Sequence, residues 1–300
     1  MKSQTPSRLS TNQLLTGYLK SKGYSSTSVE SYQKSIGYFE EWLRKENLRA
    51  EEVSYQDGLA YLQYLKKKGL AQRSIHHYLI GVNHYYEYEV SQRRLDQNPI
   101  ARLKVKEGKK KKMYQIIESH ELHRMYGNYR AESLSERRDK VLLGLLIYQG
   151  LRTGDIYRLE VKDVKLKEGM IEIGADKQSN ERTLQLESHQ VMEMHEYVMQ
   201  ARPELLKQSG EETELLFVGS AGGQSPGHYV ARILKKLRKL QPNLTAQQIR
   251  ASVIVKWLKR YNLRKAQYLS GHKHVSSTES YLQNEMEGLK EEIEQFHPLG

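Results

Sequence analysis

A chain of 300 residues with 48 Lys plus Arg against 36 Asp plus Glu, a formal charge of +12, is long enough for about two domains and points to a polyanionic partner. It has no cysteine, which excludes disulfides, thiolate catalysis and Cys-type zinc sites, and no apolar run near the ~18 residues that span a bilayer. Nucleic acid or an anionic membrane surface would each satisfy the charge, and the first ten residues hold no hydrophobic signal core, so a cytoplasmic protein is expected.

The charge is uneven. Residues 1–103 carry 15 basic and 10 acidic side chains, residues 104–112 six Lys and one Glu, and residues 113–281 carry 26 and 20. The first segment predicts a four-helix bundle. Ser10 with Gln13 and Thr27 with Glu30 read as capping boxes opening two helices, the second with Val29, Tyr32, Ile36, Phe39 and Leu43 along one stripe. Ser54 with Asp57 opens a third that runs to Gly69, and Ser74 a fourth through Ile75, Leu79, Val82 and Tyr86. Tyr61, Tyr64, Tyr85, Tyr86 and Tyr88 on these stripes are read as core and rim, with base-stacking platforms as the other option. Lys109 to Lys112 cannot pack a core, so residues 104–112 are expected to form a basic linker, either a solvated hinge or one that also lies on phosphate.

The second segment mixes helices with short strands. Ser133 with Glu136 caps a helix whose run Val141 to Ile147 is apolar nearly all round, which places it at the domain centre. Val164 to Leu166 and Met170 to Ile173 read as a hairpin across Lys167, Glu168 and Gly169, with Arg182 to Leu186 as an alternating third strand. Ser188 to Gln200, Tyr229 to Leu240, Ser252 to Tyr261 and Leu263 to Leu269 return to helical spacing. The helix from Tyr229 carries Arg232, Lys235, Lys236, Arg238 and Lys239, a face for solvent or for a nucleic-acid backbone. After Tyr281 the balance reverses to five Glu and one Lys, and Met286, Leu289, Ile293 and Phe296 predict an acidic amphipathic tail helix at 286–300. Its stripe fits a groove on a neighbouring subunit or on its own domain. The fold class is mainly α with a small antiparallel sheet, in a helical bundle at 1–103 and an α+β domain at 113–285.

Several single residues carry potential chemistry. Arg152 follows the buried helix and precedes a new one capped by Thr153, and Lys177 stands in the turn between two strands. Arg250 is placed at the mouth of the apolar stretch from Val253, either paired with a carboxylate or presented to an anion. His272 follows Gly271 at a helix end. The pairs His76–His77, His120 with His123, and His272 with His274 lack the neighbouring carboxylates a Mg²⁺ or Zn²⁺ site needs.

In order and spacing these residues resemble the tyrosine recombinase, or phage integrase, family, and in domain layout its Xer-type and mobile-element members. Gly150-Leu151-Arg152-Thr153-Gly154-Asp155 is similar to the first-arginine box, with Asp155 in place of a commoner Glu. Lys177 before Glu181-Arg182 matches the hairpin lysine, and Ile249-Arg250 the second-arginine box. Leu269-Ser270-Gly271-His272 with Thr278 and Tyr281 matches the histidine and nucleophile boxes. Gln247 and Ala251 depart from the pattern, standing where His is common. Gln can donate to a phosphate oxygen but cannot exchange a proton near pH 7, so Gln247 is assigned to phosphate binding alone.

The resemblance implies a SAM-like core-binding bundle, a recombinase catalytic domain, and a homotetramer acting through a Holliday junction on a specific double-stranded DNA site. Accessory DNA-bending proteins, a nucleoid location and no membrane partner follow with it. Chemistry gives the same direction. Arg152 and Arg250 would neutralise the non-bridging oxygens of a phosphodiester, His272 would add a donor, and Lys177 would protonate the leaving 5′ oxygen. Tyr281, whose phenol has an unperturbed pKa near 10, would form a covalent 3′-phosphotyrosyl link; neither metal nor cofactor is required. A catalytically weak DNA-binding regulator on the same fold, and a type IB topoisomerase or resolvase, are the alternatives.

Overall fold

The computed structural model describes residues 8–105, 115–220 and 226–282, with side chains from residue 13 onward apart from residue 226. The chain divides into two compact units, residues 1–111 and 112–300. The expected linker beyond Val105 and the tail at 286–300 lie outside the described residues.

The first unit is built from α1 (Arg8–Ser21), α2 (Ser26–Lys45), α3 (Tyr55–Lys67) and α4 (Gln72–Ser91). Long α2 and α4 form its central pair. They approach closely because Gly81 offers no side chain: a Cβ there would stand 2.6 Å from Ser35 Cβ. Phe39 and Trp42 of α2 meet Tyr61 of α3 at ring-centroid distances of 4.9 and 5.1 Å, and Tyr86 of α4 donates its hydroxyl to Ala50 O at 3.0 Å. Tyr61, Tyr86 and Tyr88 are buried, while Tyr64 and Tyr85 pack at the margin of the core, so these rings are structural. Ser54 and Asp57 form a complete capping box on α3. The other starts shift. Ser25, not Thr27, caps α2, while α1 and α4 each begin two residues before the serine expected to open them. Ser10 and Ser74 therefore sit inside first turns, where short polar side chains are also common.

The second unit surrounds α6 (Leu134–Ile147), opened by the Ser133–Glu136 capping box. Leu142, Leu143 and Leu145 are each 0% exposed, since α5 (Ser119–Gly127) and several later helices pack around them. After α7 (Thr153–Arg158) comes the antiparallel sheet, in the order β1 (Val164–Lys165), β2 (Met170–Ile173), β3 (Arg182–Gln185). Ile171 pairs with Leu184, and both turn inward with Ile173. Helix α8 (Ser188–Glu196) passes through a π turn at Tyr197–Ala201 into α9 (Arg202–Ser209), and Tyr197 anchors that turn by donating to Leu216 O at 2.8 Å. Helices α10 (Pro226–Leu237), α11 (Ala246–Arg260) and α12 (Leu263–Ser270) follow, and residues 275–282 are again helical.

Two expectations change here. Helix α11 begins at Ala246, capped by Thr245, seven residues before the apolar run that starts at Val253, so Arg250 sits in its second turn and not at its mouth. The face of α10 is partly spoken for: Arg232 pairs with Asp139, Lys236 with Glu136, and Arg238 donates to Leu244 O, leaving Lys235 and Lys239 exposed. Among the described residues no helix is long and apolar enough to cross a membrane.

Candidate active site

Four chain segments converge on one cleft of about 370 Å³, lined by Arg152, Gln178, Gln247, Arg250, His272 and Tyr281 together with Leu151, Thr153 and Ala246. A larger groove of about 880 Å³ in the first unit gathers Glu51, Asp96 and Arg102 without a comparable cation set, so size does not mark the reactive place.

Arg152 is itself the N-cap of α7, and the Asp155 carboxylate accepts its backbone N–H at 3.2 Å; Thr153, expected as the cap, is the first helical residue. The Arg152 guanidinium donates to Gln178 O at 3.0 Å. Arg250 is buried at 5% exposure and donates to Gly150 O at 2.5 Å, to Ser270 O at 2.7 Å and to His272 Nε2 at 3.2 Å. It bridges the end of α6 to the end of α12, and no carboxylate is among these hydrogen-bond partners. Of the two options left by the sequence, a carboxylate pair is not found among these hydrogen bonds; backbone carbonyls take its place. Arginine has five N–H groups, so two remain uncommitted.

Burial, chiefly, and then Arg152 lower the Arg250 pKa to about 10, with Tyr281 and Asp155 opposing. The cluster of Arg152, Arg182 and Arg250 thus carries more positive charge than buried Asp155 offsets. An anion in the cleft would relieve that imbalance.

His272 is also buried. A guanidinium can only donate, so Nε2 accepts from Arg250 and the ring proton lies on Nδ1, which donates to Thr278 Oγ1 at 2.9 Å. Burial first, then Arg250, Arg152 and Arg182, push its pKa down to about 3. The ring is neutral in this state. The expected donor to phosphate is instead an acceptor occupied by Arg250, and it becomes a donor at Nε2 only on gaining a proton. The Tyr281 ring stacks on His272 with centroids 5.8 Å apart at 11°, which seats the nucleophile candidate on the cleft wall.

Gln247, in the first turn of α11, is exposed, lines the cleft and has no hydrogen-bond partner for its amide among the described residues. Lys177 is the one expected site residue outside the lining. It is exposed in the loop from β2 to β3, beside Gln178, whose side reaches the cleft.

Gly271 joins these parts. Its φ of +67° closes α12, and a Cβ would stand 2.4 Å from Arg182 Nη1. Arg182, fully buried, donates to Asp155 Oδ2 at 2.8 Å. Sequence reading missed Asp176, Arg158 and the Gly150 and Ser270 carbonyls; only Asp176-Lys177-Gln178-Ser179 carried a local signal, that of an Asp-led turn.

The His272 environment has a measurable consequence. Unfolded histidine takes a proton near pH 6.5, whereas folded His272 resists it to about 3, so below 6.5 the unfolded state binds more protons. The stability from the neutral ring is complete above 6.5 and is lost at up to ~1.4 kcal/mol per pH unit on descent toward 3. Urea unfolding between pH 7 and 4.5 should show His272→Gln with a shallower acid slope than wild type by most of that amount; parallel slopes would disprove it.

The chain belongs to the phage integrase family: the model described as "Phage integrase family" matches residues 115–287, and that described as "Phage integrase, N-terminal SAM-like domain" matches residues 12–93. It is 25% identical over 285 residues to tyrosine recombinase XerD of Shewanella oneidensis, covering 93% of each chain. To tyrosine recombinase XerC of Bacillus subtilis it is 25% identical, covering 92% of each. In fold it is similar to the XerH site-specific recombinase bound to difH substrate, with a TM-score of 0.71, 17% identity, and coverage of 93% of this chain and 82% of that one.

Proposed function

We propose that this protein is a site-specific DNA recombinase that cleaves and rejoins strands through a 3′-phosphotyrosyl link to Tyr281 and a Holliday junction. The observation that carries this reading is the convergence of Arg152, Gln247, Arg250, His272 and Tyr281 on one cleft whose cations exceed its buried acids. Relatives named tyrosine recombinases align with 93% and 92% of the chain, so the likeness extends over both units.

A scissile phosphate enters the cleft and meets the N–H groups that Arg152 does not spend on Gln178 O, while Arg250 supplies its two uncommitted N–H groups. These fixed donors meet the charge that grows on the non-bridging oxygens, at no reorganisation cost. Gln247 adds an amide donor. The phosphate charge offsets the three guanidiniums around His272, which favours protonation of that ring and a donor at Nε2. The Tyr281 oxygen attacks phosphorus, and the leaving 5′ oxygen takes a proton from Lys177. The phosphotyrosyl ester keeps the energy of the broken bond, so religation needs no cofactor.

In this reading residues 1–103 are a core-binding domain, 104–112 a basic linker, 113–285 the catalytic domain and 286–300 a tail for subunit contact. One strand cut per protomer at two duplex sites requires a homotetramer on DNA, with accessory bending proteins where a site demands them. Such a protein works at the nucleoid in the cytoplasm.

The test is capture on genomic DNA of the source organism, fragmented and denatured after incubation with the full chain. Covalent protein–DNA adducts should map to a defined site with wild type and vanish in Tyr281→Phe. Adducts persisting in Tyr281→Phe would remove Tyr281 from the nucleophile role.

A further inference from the structure

The loop that carries Lys177 is fastened on both sides of that residue. Asp176 Oδ1 accepts the backbone N–H of Gln178 and of Ser179, both at 2.6 Å, and the Ser179 hydroxyl at 3.1 Å. Asp176 N donates back to Ser179 O at 2.9 Å, so residues 176–179 close into a turn around one carboxylate. The other oxygen, Oδ2, receives Arg158 Nη1 at 2.5 Å, and Arg158 Nη2 reaches Asp155 Oδ1 at 3.1 Å. The turn is thereby tied to α7, the helix that Arg152 caps. Burial raises the Asp176 pKa, but hydrogen bonds from Gln178 N, Arg158 and Ser179 N outweigh it and hold the carboxyl well below the usual range. The carboxylate stays ionised in its turn at working pH.

On the far side, Gln178 O accepts from Arg152, Asn180 N donates to Gly271 O at 3.0 Å, and Ser179 forms a bridge pair with His272. Every backbone neighbour of Lys177 is held, whereas its own side chain is exposed and without a hydrogen-bond or ion-pair partner among the described residues. A rigid base under a free ammonium is an arrangement for reaching, not for packing.

We infer that Asp176, clamped by Arg158, is a positioning residue for Lys177: it fixes the turn from which the ammonium reaches the scissile linkage, and neither Asp176 nor Arg158 touches DNA. The inference rests on the acid role given to Lys177 above. In that step the bond from Tyr281 oxygen to phosphorus forms and the bond from phosphorus to the 5′ oxygen breaks. The 5′ oxygen takes its proton from Lys177 Nζ, and the phenolic proton leaves to solvent.

The experiment uses the full chain and a nicked duplex carrying the site returned by adduct mapping, with a scissile phosphodiester or a 5′-bridging phosphorothioate. A sulfur leaving group needs no proton, so it reports on everything except the acid. Asp176→Ala should slow phosphodiester cleavage roughly 10–100-fold, part of the ~10²–10⁴ that a general acid contributes, and approach wild type on sulfur. The double variant with Lys177→Ala should lose no more than Lys177→Ala alone, and Asp176→Asn, which keeps the turn's acceptor, should fall between Asp176→Ala and wild type. Equal loss of Asp176→Ala on both substrates, or no loss on either, overturns the inference while Lys177→Ala is rescued by sulfur. A Lys177→Ala that sulfur does not rescue overturns the acid role itself and the inference with it.

Discussion

Arg250→Lys is expected to slow covalent adduct formation about 10²–10³-fold, the range for removing one preorganised transition-state donor, while duplex binding stays within a few-fold of wild type. The charge survives this substitution, but the fork does not. Arg250 spends three N–H groups on Gly150 O, Ser270 O and His272 Nε2 before it meets any ligand, and a Lys ammonium has three donors in all, on a single nitrogen. It can neutralise the cleft or hold the two helix ends, not both. Arg250→Ala should lose still more and also destabilise the fold, because it orphans two buried carbonyls and leaves a cavity. Single-turnover trapping on a nicked substrate, beside a binding titration, separates the cases. An Arg250→Lys protein that cleaves within ten-fold of wild type would show that charge alone suffices and that fork geometry is unimportant.

What was legible in the chain follows from where its information is local. Ser54 with Asp57 and Ser133 with Glu136 are reciprocal within four residues, and both formed as expected. The hairpin across Lys167-Glu168-Gly169 shows the same, as does the apolar helix at the centre of the second unit. The start of α11 was not legible from its apolar run, because Gln247 and Gln248 in its first turn are polar; Gln247 lines the cleft and Gln248 donates to Gln115 O. Site residues were legible through order and spacing. Their supports were not: Arg250 rests on backbone carbonyls, which any residue type supplies, and Arg158 meets Asp176 across 18 positions by an ion pair that neither neighbourhood announces. The basic face of α10 shows the converse, since two of its three pairings are with acids on α6 about a hundred residues earlier.

Asp155→Ala is expected to be the most damaging substitution for stability, at about 3–5 kcal/mol, the usual cost of stripping one partner from a buried pair. At the ~2–4 °C per kcal/mol typical of a domain the size of the second unit, that corresponds to a fall in Tm of roughly 6–20 °C. The Asp155 and Arg182 side chains are both 0% exposed, and Arg182 Nε already has no partner, so the carboxylate at 2.8 Å is what offsets the desolvation of that guanidinium. Arg182 cannot swing out, because it lies directly beneath Gly271, where no Cβ fits. The same carboxylate also accepts Arg152 N and Arg158 Nη2, so its loss loosens the first cleft arginine and the anchor of the Lys177 turn together. If uncompensated charge is the cause, removing that charge should help: Asp155→Ala with Arg182→Met should recover more than half of the lost unfolding free energy without recovering cleavage. A double variant no more stable than Asp155→Ala would mean that the carboxylate acts through its backbone and Arg158 bonds, and that the buried guanidinium tolerates being unpaired.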